Sequence, residues 1–451
     1  MAVSWQGVLE AAGFTPAHAG SRGPLLSMAA VRLAATTTAR PLGAWVVPGR
    51  IEVVGKHADY AGGRSLVAAA PRGFAVIAAP RSDQRVRVLD ARYATEFELA
   101  ATDRDRVYPG WTNYVAVVVR RLARNFAGAD LGTDIAIASD LPRAAGASSS
   151  SALVVGVAHA LMARASLAET AAWTAAIRDP LDLAAYLSTI ENGRSFRTLA
   201  GTDGVGTNGG SQDHTAILAA RAEAVTAFDY GQHCRLADAL MPTHWRFVIM
   251  TSGVHAGKAS DAKDRFNHTA RVVSAMVAAW NARCAARCGT LAEILSSAPD
   301  AEDRLRHVLE HTSQSDVAAA DLLRRLSHFL AENARVTDAV RAFGAADARA
   351  MCEIASASQA GADEGLANQV PETRALASAA RAAGAFAASS FGAGFGGSVW
   401  ALVEGDDGEA ARVASTWSAR YRASCPEILG VDWFVARPAP PLIAVSTEGW
   451  L

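Results

Sequence analysis

The sequence predicts a two-domain α+β protein, and three observations carry that prediction. Its 451 residues exceed what one hydrophobic core ordinarily serves. Hydrophobic residues make up 51% of the chain and charged residues 19%, which supplies ample apolar surface to bury and excludes disorder. Strand-length apolar runs interleave with helix-spaced ones in the first half, whereas the second half opens with one strand and continues as a long helical tract.

The elements follow in order. Residues 1–45 read as a loose, partly helical entry. From Gly43, the segments AWVVPGRIEVVG, RSLVAAAPRGFAVIAAP and QRVRVLDARYATEFELA give apolar runs and alternation at strand length, so a mixed sheet begins there. WTNYVAVVVRRLARNF from Trp111 and SALVVGVAHALMARA from Ser151 repeat apolar residues at helical spacing, with the strand LGTDIAIASDLP between them. The segment LADALMPTHWRFVIMTSG ends in a buried strand, which places the boundary between a first domain, 1–240, and a second, 241–451. Helices then run to about Ala388 and include an amphipathic stretch, SDVAAADLLRRLSHFLAENARVTDAVRAF, from Ser315. SVWALVE from Ser398 and DWFVARP from Asp432 read as late strands.

Charge narrows the function. With 43 basic against 44 acidic residues the chain has no global field to hold nucleic acid or an anionic membrane. Five scattered cysteines fit a reducing compartment, and with no export signal or apolar span evident the expected location is cytoplasmic. Cys284 and Cys288 have no second ligand pair nearby, which argues against a structural zinc. Only three of the 43 basic residues are lysines, Lys56, Lys258 and Lys263, so a lysine here is less readily filler.

Chemistry is written in three places. PGRIEVVGKHADYAGG, residues 48–63, crowds Arg50, Lys56, His57 and Asp59 around a strand; such a cluster is either a solvated strand end or a site. LPRAAGASSSSALVVGVAHAL, residues 141–161, is a small-residue loop whose serines open a helix. It is either an ordinary serine N-cap or a cradle in which free N–H groups and the helix dipole hold a polyphosphate. No Gly-Lys-Ser/Thr closes it, so it is not a Walker loop. SSFGAGFGGSVWALVE, residues 389–404, is expected to run from a helix through a tight glycine turn into a strand, the wrong context for a dinucleotide fingerprint.

Taken together, the three motifs resemble those of galactokinases within the GHMP kinase superfamily: the sugar signature, the phosphate loop and the glycine-rich third motif, in that order. WTNYV and HFLAENARVTDAV resemble galactokinase segments as well, and the likeness runs from about 40 to about 405, with an unmatched stretch near 280–320. It implies a two-domain GHMP fold, a ribosomal-protein-S5-like first half and a ferredoxin-like second half with the active site between them. It also implies ATP and Mg2+ as cofactors, a small-molecule sugar as substrate, and transfer to its anomeric hydroxyl, giving a sugar 1-phosphate.

Residue by residue, the resemblance assigns phosphoryl stabilisation to Arg50 and the base to Asp213, in GGSQDHTAI where the family has GxMDQ. Glu191 becomes the magnesium carboxylate, with Ser149 or Ser150 as its hydroxyl partner. Pro142, Ala144, Ala145, Gly146, Ala147, Ser148, Ser149, Ser150 and Ser151 form the phosphate loop, with Trp111 and Tyr114 either shaping the nucleotide side or serving as plain core. His57 and Asp59 are the sugar ligands, and Gly394, Gly396 and Gly397 shape the meeting of the domains. The long connection between Glu191 and Asp213 is a candidate lid.

The chain also departs from the family pattern. Lys56 stands where the signature has Glu, and Lys263 falls where a sugar-touching Tyr is expected. The expectation is a substrate with an acidic group, such as a uronic acid, with Lys56 as its leading partner; the other reading is that Lys56 points to solvent or pairs with Asp59. A catalytically silent sugar and ATP sensor on the same scaffold is the alternative to an enzyme, and a kinase of alcohols such as mevalonate or homoserine is a third reading.

Overall fold

The computed structural model describes residues 5–103, 106–142, 146–254, 260–285, 287–312 and 317–447, without the side chains of residues 260–262. Two sheets organise them. The first comprises β1 (Gly43–Val54), β2 (Arg64–Pro80), β3 (Arg85–Asp90), β4 (Thr95–Ala100), β5 (Thr133–Ser139), β6 (Ala224–Asp229) and β7 (Cys234–Leu240). The second comprises β8 (Trp245–Thr251), β9 (Ala387–Phe391), β10 (Ser398–Glu404) and β11 (Trp433–Ala436), in the order β11-β8-β10-β9. The chain then returns to the first sheet, where β12 (Ile443–Val445) pairs with β1.

The seventeen-residue β2 is the spine of the first sheet. It pairs along its length with β1, and its other edge takes β6 at residues 64–67 and β5 at residues 74–80. All these pairings are antiparallel; β3 beside β5 is parallel.

Alternation along β1 shows how the sheet is covered on both faces. Trp45 and Val47 pack against α3 (Trp111–Asn125) and α4 (Ser149–Arg164), while Ala44 and Val46 pack against α1 (Trp5–Ala11) and α2 (Pro16–Ala34). Short α5 (Ala171–Ala176), α6 (Pro180–Asn192) and α7 (Gln212–Ala219) complete the side of α3 and α4. Asp179 caps α6 by accepting from the Asp182 N–H at 2.8 Å, with Pro180 at the first helical position, which fixes where Glu191 emerges in the last turn.

Further along β1 the neighbours change. Ile51, Val53 and Val54 share a core with Val336 and Phe343 of α11 (Ala319–Gly344) and with Trp400 and Phe391 of the second sheet. The helical tract before α11 holds α8 (Ser260–Arg283), α9 (Leu291–Ser296) and α10 (Ala301–Glu310). After it come α12 (Ala348–Ala360), α13 (Pro371–Ala382) and α14 (Asp407–Ser424). Among the described residues no helix is long and apolar enough to cross a membrane.

One expected connection differs. The glycine-rich segment joins two antiparallel strands, β9 and β10, rather than a helix to a strand. The five-residue β9 is buried throughout, and its run of small residues, AASSF, carries too little pattern to mark it as a strand.

Candidate active site

A cavity of about 660 Å³ opens where the end of β1, the start of α4, the turn before α7 and the β9–β10 glycine turn converge. β1 supplies the floor. Its pairing with β2 is irregular between Pro48 and Gly49 and again between Glu52 and Val54, which brackets Arg50 and Glu52 and re-aims both side chains from sheet face to cavity.

Arg50 is 5% exposed and pairs with Asp213: Nε donates to Oδ1 at 2.7 Å, and the other arm donates to the Gly146 carbonyl at 2.9 Å. Burial works against ionisation of Asp213, but the Arg50 charge and hydrogen bond outweigh it and hold the carboxyl below its ordinary range. Asp213 is therefore ionised at any working pH.

Glu52 is 2% exposed and holds two other elements in place. One oxygen accepts from Gln212 Nε2 at 2.7 Å and the other from the Gly392 N–H at 2.8 Å. Asp59 accepts from the Gln212 N–H at 3.1 Å, and burial pushes its pKa up to about 6. His57 is pushed down to about 3, chiefly by burial and then by Arg325, so its ring is neutral. Its Nδ1 meets the Tyr60 hydroxyl at 3.0 Å, and its Nε2 lies 3.3 Å from the Ala393 carbonyl.

On the opposite wall, Ser148, Ser149, Ser150 and Ser151 face the cavity at the start of α4 beside Gly146, Trp111 and Tyr114. Ser151 Oγ donates to Glu191 Oε1 at 2.8 Å, and His214 Nε2 lies 3.1 Å from the same oxygen. Burial, then the Glu191 charge, raises the Tyr114 pKa to about 12. The phosphate loop and the glycine turn touch backbone to backbone: a Cβ on Gly392, at φ +85°, would sit 2.9 Å from the Gly146 carbonyl oxygen.

Most of the sequence-predicted residues therefore meet in one cavity: Arg50, His57, Asp59, Trp111, Gly146, the four serines, Glu191, Asp213, Lys263 and Gly394. Pro142 and Ala147 lie outside its lining, although the Ala147 carbonyl accepts from the Arg50 N–H at 3.3 Å. Gly396 and Gly397 pack against the Val254 backbone instead of the cavity. Ala144 and Ala145 lie outside the described residues. The segment between Glu191 and Asp213 forms wall, with Thr207, Gly209 and Gly210 lining the cavity and Asn267 of α8 accepting from the Asn208 N–H at 2.9 Å.

Lys56 is the correction. It points neither into the cavity nor to solvent, nor does it pair with Asp59. At 1% exposure its Nζ donates to Ser358 and Ser389 hydroxyls at 2.5 and 2.8 Å. Burial lowers its pKa and the nearby Glu332 charge opposes that shift. The reason is local backbone: Gly55 at φ +95° and His57 at φ +57° break the strand alternation, so the Lys56 side chain leaves toward α12 and β9, with α11 beside its backbone. There Glu332 accepts from the Gly55 and Lys56 N–H groups at 2.8 and 3.1 Å, and Arg325 donates to the His57 carbonyl.

Glu52, Gln212, His214 and Gly392 escaped the sequence reading. Glu52 was signalled by its position two residues from Arg50 on the same strand face.

Three stretches of the chain match known sequence patterns. Residues 35–80 match the galactokinase galactose-binding signature, residues 113–194 the GHMP kinases N-terminal domain and residues 339–423 the GHMP kinases C-terminal domain. A galactokinase of Chloroflexus aurantiacus is 29% identical over 379 residues, covering 80% of this chain and 83% of that one. The chain is a galactokinase-like member of the GHMP kinase superfamily. As a member it is a sugar-kinase phosphotransferase, and ATP use comes with the family. This kinase also matches a galactokinase of a Roseiflexus species, 43% identical over 113 residues, which is 25% of this chain and 28% of the relative. Its fold is that of Lactococcus lactis galactokinase complexed with galactose, with a TM-score of 0.69, 23% identity, and 89% and 94% of the two chains covered.

Proposed function

We propose that this kinase transfers the γ-phosphoryl group of ATP to the anomeric hydroxyl of a free hexose, giving a sugar 1-phosphate. The observation that carries the reading is the ion pair of Arg50 and Asp213, set between the sugar-signature turn and the serine-rich start of α4. Phosphoryl transfer asks chiefly for positioning and for stabilisation of spread negative charge. Arg50, forked and permanently charged, serves the transferring group. Asp213, kept ionised by that same arginine, orients the attacking hydroxyl and takes its proton late, when little basicity is needed.

Asp59 and His57 hold the sugar, the first as acceptor. Gly146 and the N–H groups opening α4 receive the phosphates. The oxygen donors Glu191 and one of Ser149 and Ser150 fit magnesium, a hard cation that favours such ligands and would neutralise polyphosphate charge there.

Galactose is the first substrate to try, by analogy with the named relatives. Beside the sugar-signature turn, Glu52, Asp59 and Asp213 line the cavity with Arg50, whose charge Asp213 already engages, so β1 leaves no unpaired cation there for an anionic sugar. The uronate reading then rests on Lys263 alone, which already donates to the Val205 carbonyl at 2.7 Å.

The test is ADP release with ATP and magnesium over a panel containing galactose, galacturonate and other free sugars, with Asp213→Asn as control. Turnover on a neutral hexose that disappears in the variant supports the proposal. Turnover on galacturonate in preference to galactose overturns the substrate class, and no turnover with any sugar overturns the reaction.

A further inference from the structure

We propose that His214 is a third protein ligand of the divalent cation, making this a mixed nitrogen and oxygen site that prefers manganese or cobalt to magnesium. The inference rests on the magnesium carboxylate assigned above to Glu191 and deepens it.

His214 is 2% exposed and lines the cavity. Among the described residues neither of its ring nitrogens has a hydrogen-bond partner. A buried imidazole without partners is costly, because both its donor and its acceptor have left water. Its Nε2 nonetheless lies 3.1 Å from Glu191 Oε1 without the alignment of a hydrogen bond. Two ligands at right angles around an ion that binds each at about 2.1 Å stand about 3 Å apart, so the two atoms are spaced as neighbours in an octahedral shell.

The backbone fixes this placement from both sides. His214 stands in the first turn of α7, which Asp59 and Glu52 hold through Gln212. Glu191 stands in the last turn of α6, and Ser151 of α4 donates to the same oxygen that faces the imidazole. Neither ligand depends on a free loop for its position. Imidazole nitrogen binds the later first-row cations better than magnesium, which favours oxygen and sheds water reluctantly. A nitrogen in the shell therefore moves the preference toward manganese and, further, cobalt.

The probe is Mn2+ added to the full chain, with and without a non-hydrolysable ATP analogue. Free Mn2+ is followed by its electron paramagnetic resonance, and bound Mn2+ by pulsed measurements of nitrogen coupling. The wild-type protein should show coupling to a directly bound imidazole nitrogen, a result that needs no variant to fold. His214→Gln should lose that coupling, weaken Mn2+ binding by about tenfold or more and narrow the preference for Mn2+ over Mg2+.

Glu191→Gln separates the two levels of the argument. If it leaves Mn2+ binding unchanged, the assignment of the cation to Glu191 is wrong. If it abolishes binding while wild type shows no nitrogen coupling and His214→Gln binds like wild type, only the role of His214 is overturned, and the imidazole is a plain neighbour of the carboxylate.

Discussion

Arg50 and Lys56 stand six residues apart on one motif, both nearly buried and both cationic, yet they belong to different parts of the molecule. Arg50 reaches from β1 into the cavity and holds Asp213 there. Lys56, past the turn at Gly55, reaches into protein and ends on two serine hydroxyls with Glu332 nearby. A buried charge is thus no sign of function in itself. What decides is whether the group borders a space that a ligand can fill or is enclosed by side chains that already satisfy it.

The sharpest way to break the comparison is to remove each charge in turn. Arg50→Met should lower kcat by about a thousandfold, because the arginine is aimed at charge that develops only during transfer. Affinity for ATP should change far less, which calorimetric titration would check. If kcat fell by less than tenfold, the cavity would not be organised around Arg50.

Lys56→Met should act on stability instead. Truncating one member of a buried charged cluster costs about 3 kcal/mol, mostly because the remaining charge loses its counterion. Glu332 keeps Arg335, whose guanidinium donates to it at 2.7 Å, and that limits the loss. Adding Glu332→Gln should recover part of the lost stability in denaturant unfolding, while kcat per folded molecule stays within a few-fold of wild type. A large kcat defect in a stable Lys56→Met protein would return Lys56 to the site.

These two residues also show what could be read in advance. Regular elements were legible wherever periodicity was sustained: the 12-residue β1, α3 from Trp111 and the long α11 all lie where the apolar pattern placed them. Arg50, Asp59, Glu191 and Asp213 were legible as a constellation through the family motifs, and the cavity brings them together. Lys56 was not legible, because strand alternation fails at positive φ and the sequence does not announce which way a side chain leaves such a turn. The pattern of β9 was too short to read, and with it went the N–H by which Gly392, just past that strand, donates to Glu52. His214 sat beside a residue already singled out, but its meeting with Glu191 depends on how α6 and α7 pack.

The contact between the phosphate loop and the glycine turn sharpens the comparison from the backbone side. Gly392→Ala puts a methyl 2.9 Å from a carbonyl oxygen at a φ that L-residues rarely adopt. The combined cost is about 2 kcal/mol. Because that carbonyl belongs to Gly146, which also accepts from Arg50, the KM for ATP should rise more than the KM for sugar. Equal changes in both would mean that the turn merely supports the fold.

Asp59 gives the smallest effect and the one that pH alone can reveal. Its pKa of about 6 lies above the ordinary value of 3.8, because burial disfavours the charged form. A carboxyl whose pKa rises on folding binds its proton more tightly in the folded chain, so its ionisation costs stability, about 3 kcal/mol above pH 6. That cost is relieved as pH falls from about 6 toward 4, and Asp59→Asn should remove this component of the pH dependence of unfolding. Function runs the other way: the protonated form is a poorer acceptor for a sugar hydroxyl, so kcat/KM for sugar should fall about tenfold per pH unit below 6. Arg50 and Asp213 keep their charges through that range, so at saturating divalent cation, which removes any loss of metal to acid at His214, the acid limb should belong to Asp59 and flatten in Asp59→Asn, whose remaining activity is lower but level. An acid limb that persists unchanged in that variant would assign it to another group and leave Asp59 a structural anchor for Gln212.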